Sequence, residues 1–399
     1  MRTVVHVNDK VRIAGGAEVL IAQMQPLLRE QGWISEWIGV QRVGRQLTVT
    51  SENEAYAWQG ALDEFHRSPG AQLIQKNRGL FHVHSLSDPA MLRSLFALGP
   101  VIRKMADPRM FCPGQGKFWA KSEMPCTSPF GLHCLIHTYT EQCCNRHPAR
   151  AVSAYRNARF EVREASRRYA AILANSSYTR DEAVLAGIDA EKIQLLHNFT
   201  FTTPPPTFDG DSHRIVFTGR MARTKGVHFL LNAFGIVQQQ IPLARLDLLG
   251  AGIHEQEFRR LASELELGEN VVFHGWADRQ TVDTFLNAAT VVAFPSIYPE
   301  AFGISGIEAM MRGKPVVGFD VGGVKDWLYH DVTGFLVKAK NTEGFADGLI
   351  RLLKDRELNN RFGAAAREIA LKTFSPEPHL NRLIEVYDQA IRESGNSTS

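Results

Sequence analysis

The 399-residue chain lacks a long hydrophobic run. No stretch approaches the roughly 18 uninterrupted apolar residues of a membrane-spanning helix. The start, MRTVVHVND, turns polar after Val7, too soon for the apolar segment of a secretory leader. A cytoplasmic location is therefore expected. An excess of one charge is missing as well. The 45 Lys and Arg nearly balance the 42 Asp and Glu, for a net +3, which argues against a nucleic-acid partner. Cysteine is scarce, 5 in 399, and no Cys-x-x-Cys pair occurs, which excludes the commonest zinc-finger and thioredoxin-like spacings.

What is present is an alternation of strand-like and helix-like segments. Hydrophobic residues make up 44% of the chain, enough to fill more than one core, and the length favours two domains. RTVVHV, SEWIGV, GLFHVHS, YAAILANSS and IQLLHNF read as strands of the first half. RIVFTG, ARLDLLG, NVVFHG, TVVAFP, KPVVGF and GFLV read as strands of the second. Continuous apolar strands separated by helices imply parallel sheets covered on both faces. The proline-rich stretch TFTTPPPTFDGDS, residues 200–212, reads as a stiff linker. Domains are thus expected at 1–199 and 213–374, with a terminal helix and tail at 375–399. In such α/β sheets ligands bind beyond the carboxyl ends of the strands.

Two strand ends carry the right chemistry for an anion flanked by hydroxyls. Strand RIVFTG ends at Gly219, followed by Arg220, Lys225 and the start of a helix. Cations beside unsatisfied helix N–H groups favour a phosphate. Strand TVVAFP leads to Glu300, Gly303 and a helix carrying Glu308. Eight helical residues span about 12 Å, so the two acids are placed to grip separate hydroxyl-rich groups. Carboxylates suit hydroxyls because charged acceptors make the stronger hydrogen bonds. The plainer reading is a set of solvated loop charges and a capped surface helix.

FPS followed by EAFGISGIE and AMMRGKPVVGFDVGG resembles the glutamate–seven–glutamate motif of retaining, nucleotide-sugar-dependent glycosyltransferases, glycosyltransferase family four. GGAE, FHVHS, ILANSSYTRDEAVLAGIDAEKIQLLHNF, FTGRMARTKGV and DVTGFLV fall in the family's order. The resemblance implies the GT-B fold, two Rossmann-like α/β domains with parallel sheets facing a cleft. It implies an N-terminal acceptor domain and a C-terminal donor domain, with the last helix crossing back to the first domain. It further implies transfer of a sugar from a nucleotide diphospho-sugar to an acceptor hydroxyl with retention, in polysaccharide, glycolipid or glycoconjugate synthesis.

Residue by residue, Arg220 and Lys225 match the cations that hold the donor diphosphate. Glu308 matches the acid that bridges the ribose hydroxyls, and Glu300 the acid near the transferred sugar. Backbone groups of Phe302, Gly303 and Ile304 match the loop touching sugar and phosphate. Gly15 and Gly16 match the N-domain glycine turn that closes on the donor from the other side, and Gly219 is counted among the donor-binding residues. No cofactor is implied for catalysis. One departure stands out: Ala106-Asp107 occupies the place of the His-Asp common in relatives. Either Asp107 or His84 serves on the acceptor and sugar side, or the chain is a silent nucleotide-sugar-binding or scaffold homologue.

The five cysteines all fall between 112 and 144. Cys112, Cys126, Cys134 and Cys143 suit a structural zinc ion, while disulfides and buried free thiols remain alternatives. Arg156, Arg159, Arg163 and Arg167 recur at helical spacing. They make either a face for an anionic membrane or a solvated face partnered by Glu161 and Glu164.

Overall fold

The computed structural model describes residues 2–9, 11, 16–204 and 213–396. Two compact units emerge, residues 1–122, 126–198 and 379–399 in the first, and 123–125 and 199–378 in the second. No helix among the described residues is long and apolar enough to cross a membrane.

The strands of the first domain are β1 (Thr3–Asn8), β2 (Ile34–Val43), β3 (Gln46–Ser51), β4 (Trp58–Ala61), β5 (Leu80–Val83) and β6 (Val101–Met105). Two-residue strands β7 (Phe118–Trp119) and β8 (Met124–Pro125) lie in the cysteine-bearing segment, and β9 (Ala171–Ala174) and β10 (Ile193–Leu195) follow. The sheet order is β10-β9-β6-β5-β1-β2-β3-β4. β1 and β5 are buried along their whole length, as strands covered on both faces must be. Flanking helices start where a cap and a proline coincide. Ser68 and Asp88 each accept an N–H of the first turn, ahead of Pro69 and Pro89.

Three expectations are corrected here. The first sheet is not wholly parallel: β2–β3 and β3–β4 pair antiparallel. QLTVTS alternates buried and exposed positions, the period-2 pattern of a half-covered edge rather than an apolar run. Next, the arginine run does not lie on one continuous α-helix. The helix Pro148–Phe160 passes into a π turn, Glu161–Ala165, which breaks the 3.6-residue register. Glu161 is thereby turned inward and is no partner of a solvated face. It is fully buried, pairs with Arg103 at 3.1 Å and accepts the Tyr169 hydroxyl at 2.7 Å. Finally, the start of the expected linker is packed. Phe199 and Thr200 are buried, and the Thr200 N–H donates to Phe374 O at 2.8 Å within the second domain. Residues 205–212 of that linker lie outside the described residues.

The last helix, Pro376–Asn396, joins the first domain from His379 onward. Leu380, Leu383, Val386, Tyr387 and Ala390 share a core with Val4, Leu80 and Ile102.

The second domain has β11 (Arg214–Thr218), β12 (Arg245–Leu249), β13 (Val271–Gly275), β14 (Val291–Phe294), β15 (Val316–Asp320) and β16 (Gly334–Lys338). All pairings are parallel, in the order β13-β12-β11-β14-β15-β16. Chain direction across the sheet reverses between β11 and β14, and a crevice opens at such a switch point. In the first sheet the corresponding point lies between β1 and β5.

Candidate active site

The loops after β11 and β14 meet at the second switch point because glycines let their backbones touch. Gly226 has φ +70°, and a Cβ there would stand 1.8 Å from Pro295 O. The Ile297 and Tyr298 N–H groups both donate to Thr224 O, at 3.0 and 3.1 Å. That staple brings Lys225 against Glu300, Nζ to Oε1 at 2.6 Å, and Ser296 Oγ donates to the same oxygen at 2.6 Å. Glu300 is buried, a tolerable position for a carboxylate with a cation and a hydroxyl on it. Arg220 follows Gly219, is exposed, and has no side-chain acceptor among the described residues.

Gly303 takes φ +98° as the N-cap of the helix Ile304–Met311, a conformation that costs a residue with a Cβ. The first N–H groups of that helix have no intrahelical acceptor. Phe302 sends its ring into the core and offers only its backbone outward. Its carbonyl accepts the Trp327 indole N–H at 2.7 Å. Behind Glu300, the Gly323 N–H donates to its carbonyl at 2.7 Å. Glu308 pairs with Arg279, which also reaches Asp283 at 3.0 Å. Arg220, Lys225, Glu300, Gly303 and Glu308 thus all lie on the strand-end loops, or the helix they lead into, on either side of the switch point. Arg279 was not evident from sequence. Its signal is positional: it opens the helix after β13, behind the N-cap Asp278.

The first domain distributes its polar groups differently. Gly15 lies outside the described residues, and Gly16 opens the helix Gly16–Glu30. His84, expected on the acceptor side, is 2% exposed, with its ring stacked on His82 at 4.2 Å and bonded to His6 at 3.1 Å. Residues 82 and 84 share one sheet face, and His6 is in register with His82, so all three imidazoles stand together beneath the last helix. The Tyr387 hydroxyl lies 2.6 Å from His82 Nδ1. That face is core, so the acceptor-side expectation for His84 is withdrawn. Burial pushes His6 down to about 3, and holds His82 and His84 well below the usual histidine range.

Asp107, also expected there, caps a 3-10 turn and is clasped by Arg109 at 2.8 Å. Arg109 further donates to Asp9 at 3.2 Å and to Ser85 O at 2.8 Å. Asp9 directly follows β1 and Ser85 is the second residue past β5, where Ser85 N–H also donates to Asn8 Oδ1 at 3.0 Å. Burial raises Asp9 against the pull of Arg109. Asn8, Asp9, Ser85 and Arg109 were missed in the sequence. Asn8-Asp9 was the legible sign, a polar pair ending an apolar strand at a switch point. Ala106 follows β6, its carbonyl accepting Asn175 Nδ2 at 3.4 Å.

Among the described residues, the one group of three metal-capable side chains with ligand atoms all within 4.8 Å is His6, His82 and His84. No carboxylate or thiolate joins them, and a fully buried dication without counter-charge is strongly disfavoured. Cys112, Cys126, Cys134 and Cys143 line one cavity together with Phe118, Phe130 and His137. Burial and the neighbouring Cys112, Cys126, Cys144 and Cys134 push Cys143 up to about 12. Arg156, Arg159, Arg163 and Arg167 are exposed. The first two line a groove of about 930 Å³ with Arg42 and Arg93, which are paired to Asp88 and Glu164.

Residues 199–369 match the family model described as Glycosyl transferases group 1. An uncharacterized glycosyltransferase of Methanocaldococcus jannaschii is 31% identical over 185 residues, 46% of this chain and 47% of the relative. The matched segment spans about half the length of the leading curated relatives. HepE of Anabaena, solved in complex with UDP, superimposes with TM-score 0.66 at 18% identity, over 96% of this chain and 99% of that one. A sucrose-phosphate synthase from Thermosynechococcus elongatus gives 0.69 at 19%, over 99% and 100%.

Proposed function

We propose that the chain, whose residues 199–369 match the Glycosyl transferases group 1 model and which has the two-domain GT-B fold, transfers a sugar from a nucleotide diphospho-sugar to an acceptor hydroxyl, with retention at the anomeric carbon. The observation that carries this reading is the cationic strand end at the second switch point. Arg220 is exposed and has no side-chain acceptor among the described residues, Lys225 follows on the same strand-end loop and meets Glu300 of the neighbouring loop, and the helix Ile304–Met311 begins on that second loop, an arrangement suited to an anion. A diphosphate in that crevice is both held and stabilised as a leaving group. A neighbour of the same fold was solved with UDP, which supports a nucleoside diphosphate as the species bound.

Glu300 has a double task in this reading. Its carboxylate anchors Lys225 and leaves Oε2 for a sugar hydroxyl. Glu308, set by Arg279, takes the ribose hydroxyls. For retention we favour a front-face displacement, with the departing diphosphate accepting the acceptor's proton. Rate acceleration then comes from positioning and from charge stabilisation of the leaving group.

A second reading, nucleotide-sugar binding without turnover, rests on Ala106 and on the burial of His84. The first domain offers Arg109, Asp107 and Asp9 at its switch point where an imidazole is common in relatives. Incubation with a panel of nucleotide sugars, read by release of free nucleotide, separates the two. Release with one or more donors supports transfer. A thermal shift with donor but no release from any of them overturns it in favour of the silent reading.

A further inference from the structure

We propose that Cys112, Cys126, Cys134 and Cys143 form a structural site for one zinc ion in the first domain, with Cys144 outside it. The four come from separate local structures. Cys112 precedes the turn 113–117, and Cys126 follows β8. Cys134 sits in the first turn of the helix His133–Thr140, and Cys143 lies just past its end. All four line one cavity, whereas Cys144 points its sulfur at Pro113 O, 3.3 Å away.

Backbone N–H groups of Lys117, Gly116 and Gly114 hydrogen-bond the Cys112 sulfur, against a burial that favours the neutral thiol while no cation is bound. Such concavities of backbone N–H bind anions and metal–sulfur centres, while a neutral thiol is a weak acceptor for three donors. The turn that makes the concavity holds Gln115 at φ +63° and Lys117 at φ +48°, strained for residues with a Cβ. It is also pressed against the chain at Cys143. A Cβ on Gly114 would meet Cys143 O at 2.2 Å and Cys112 Sγ at 3.7 Å. Between 112 and 147 regular structure amounts to two two-residue strands and one eight-residue helix, too little to hold a shape by its own core.

Zinc suits this donor set better than the histidine trio does. Four thiols lose four protons on binding, and the resulting thiolates supply the negative charge that the buried imidazoles lack. Zinc–sulfur bonds of about 2.3 Å place tetrahedral sulfurs about 3.8 Å apart. The thiols ring the cavity more widely than that, since they do not meet the closeness that the histidines do. The five cysteines are partly buried, and binding would require their side chains to rotate toward one another.

The test uses the full chain purified without chelator. Elemental analysis is expected to find about one zinc per chain, and less than about 0.2 overturns the site. Iron in place of zinc, or a disulfide found by mass spectrometry after denaturing alkylation, overturns it too. Cys144→Ser is expected to keep the metal, and Cys134→Ser to lose it and to melt at lower temperature. Should Cys134→Ser not fold, a mercurial titration of the wild type decides. Release of one zinc as four thiols react supports the site, and thiol reaction without zinc release overturns it. None of these readouts depends on glycosyl transfer.

Discussion

At the switch point of the second sheet, charged side chains stand on strand-end loops, and each either faces outward or is paired beside an outward-facing group. At the first sheet, three imidazoles sit two residues apart or in register on one buried face, sealed by Tyr387 and the last helix. The charged cluster of that domain is Arg109 clasped between two aspartates. The same layered topology thus serves two ends. In the second domain glycines at Gly226, Gly303 and Gly322 remove side chains so that neighbouring backbone and rings of the strand-end loops can pack closely. In the first, polar residues are spent inside the core, where His6 bonds His84 and His82 bonds Tyr387. Position on a doubly wound sheet, not residue type, separates ligand chemistry from packing.

The largest test of that contrast is acid. His6 and His379 are pushed by burial down to about 3, and His82 and His84 are held well below the usual range. All four belong to the first domain, against His228, lowered to about 4, in the second. Below the unfolded histidine value of about 6.5, the unfolded chain binds protons that the folded chain refuses. Stability is therefore full above pH 6.5 and falls toward pH 3, by up to about 1.4 kcal/mol per pH unit for each histidine. Asp9, Glu36 and Glu161, held above the usual carboxylate range by burial, act in the opposite sense. Hydrogen exchange from pH 7 to 4.5 is expected to show the first domain opening before the second. Equal loss in both would mean that the imidazoles are not sealed.

The second domain is tested by Lys225→Ala and Arg220→Ala, each expected to lower turnover by about 10²-fold or more. Lys225→Ala also strands the buried Glu300 carboxylate. Adding Glu300→Gln to it should therefore cost less than the two single changes combined. Near-wild-type turnover in both single variants would remove these cations from the chemistry.

Much of this second domain was legible. Its six strands are short apolar runs, and the first four are closed by glycine or proline, the pattern of strands in a covered parallel sheet. The grouping of Arg220, Lys225, Glu300 and Glu308 on strand-end loops was legible because these residues are close in sequence to the strand ends that place them. Contacts made across the sheet were not. Arg279 reaches Glu308 from 29 residues away, and Arg109 reaches Asp9 from 100; neither spacing leaves a periodic trace. Nor does sequence tell which face of a strand a histidine takes when both faces are apolar, so His84 read as a ligand group. The π turn at Glu161–Ala165 was hidden for a similar reason, since one extra residue in a helix leaves the composition unchanged.

Gly306→Ala probes how finely the donor wall is set. Gly306 lies in the helix Ile304–Met311, and a Cβ there would stand 2.1 Å from the Trp327 ring. The ring has to move, and with it the indole N–H that holds Phe302 O. A destabilisation of about 1–3 kcal/mol is expected from overpacking, together with a raised KM for donor. A lower melting temperature with donor KM unchanged would show that the Phe302–Ile304 backbone does not touch the donor.

Tyr387→Phe is the gentlest test and the one that bears most directly on the contrast. It removes a single hydroxyl, 2.6 Å from His82 Nδ1, and keeps the ring that packs edge-on against Trp33 and His82. His82 Nε2 already has no partner among the described residues, so the variant leaves one more buried nitrogen unsatisfied. A loss of about 1–3 kcal/mol in unfolding free energy is expected, with kcat and donor KM unaltered. The acid sensitivity should also steepen less than the stability loss, because the imidazole stays neutral and buried with or without the hydroxyl. If donor kinetics change while the melting temperature holds, the histidine layer communicates with the ligand site, and the division between a packing face and a chemical edge fails at the first sheet.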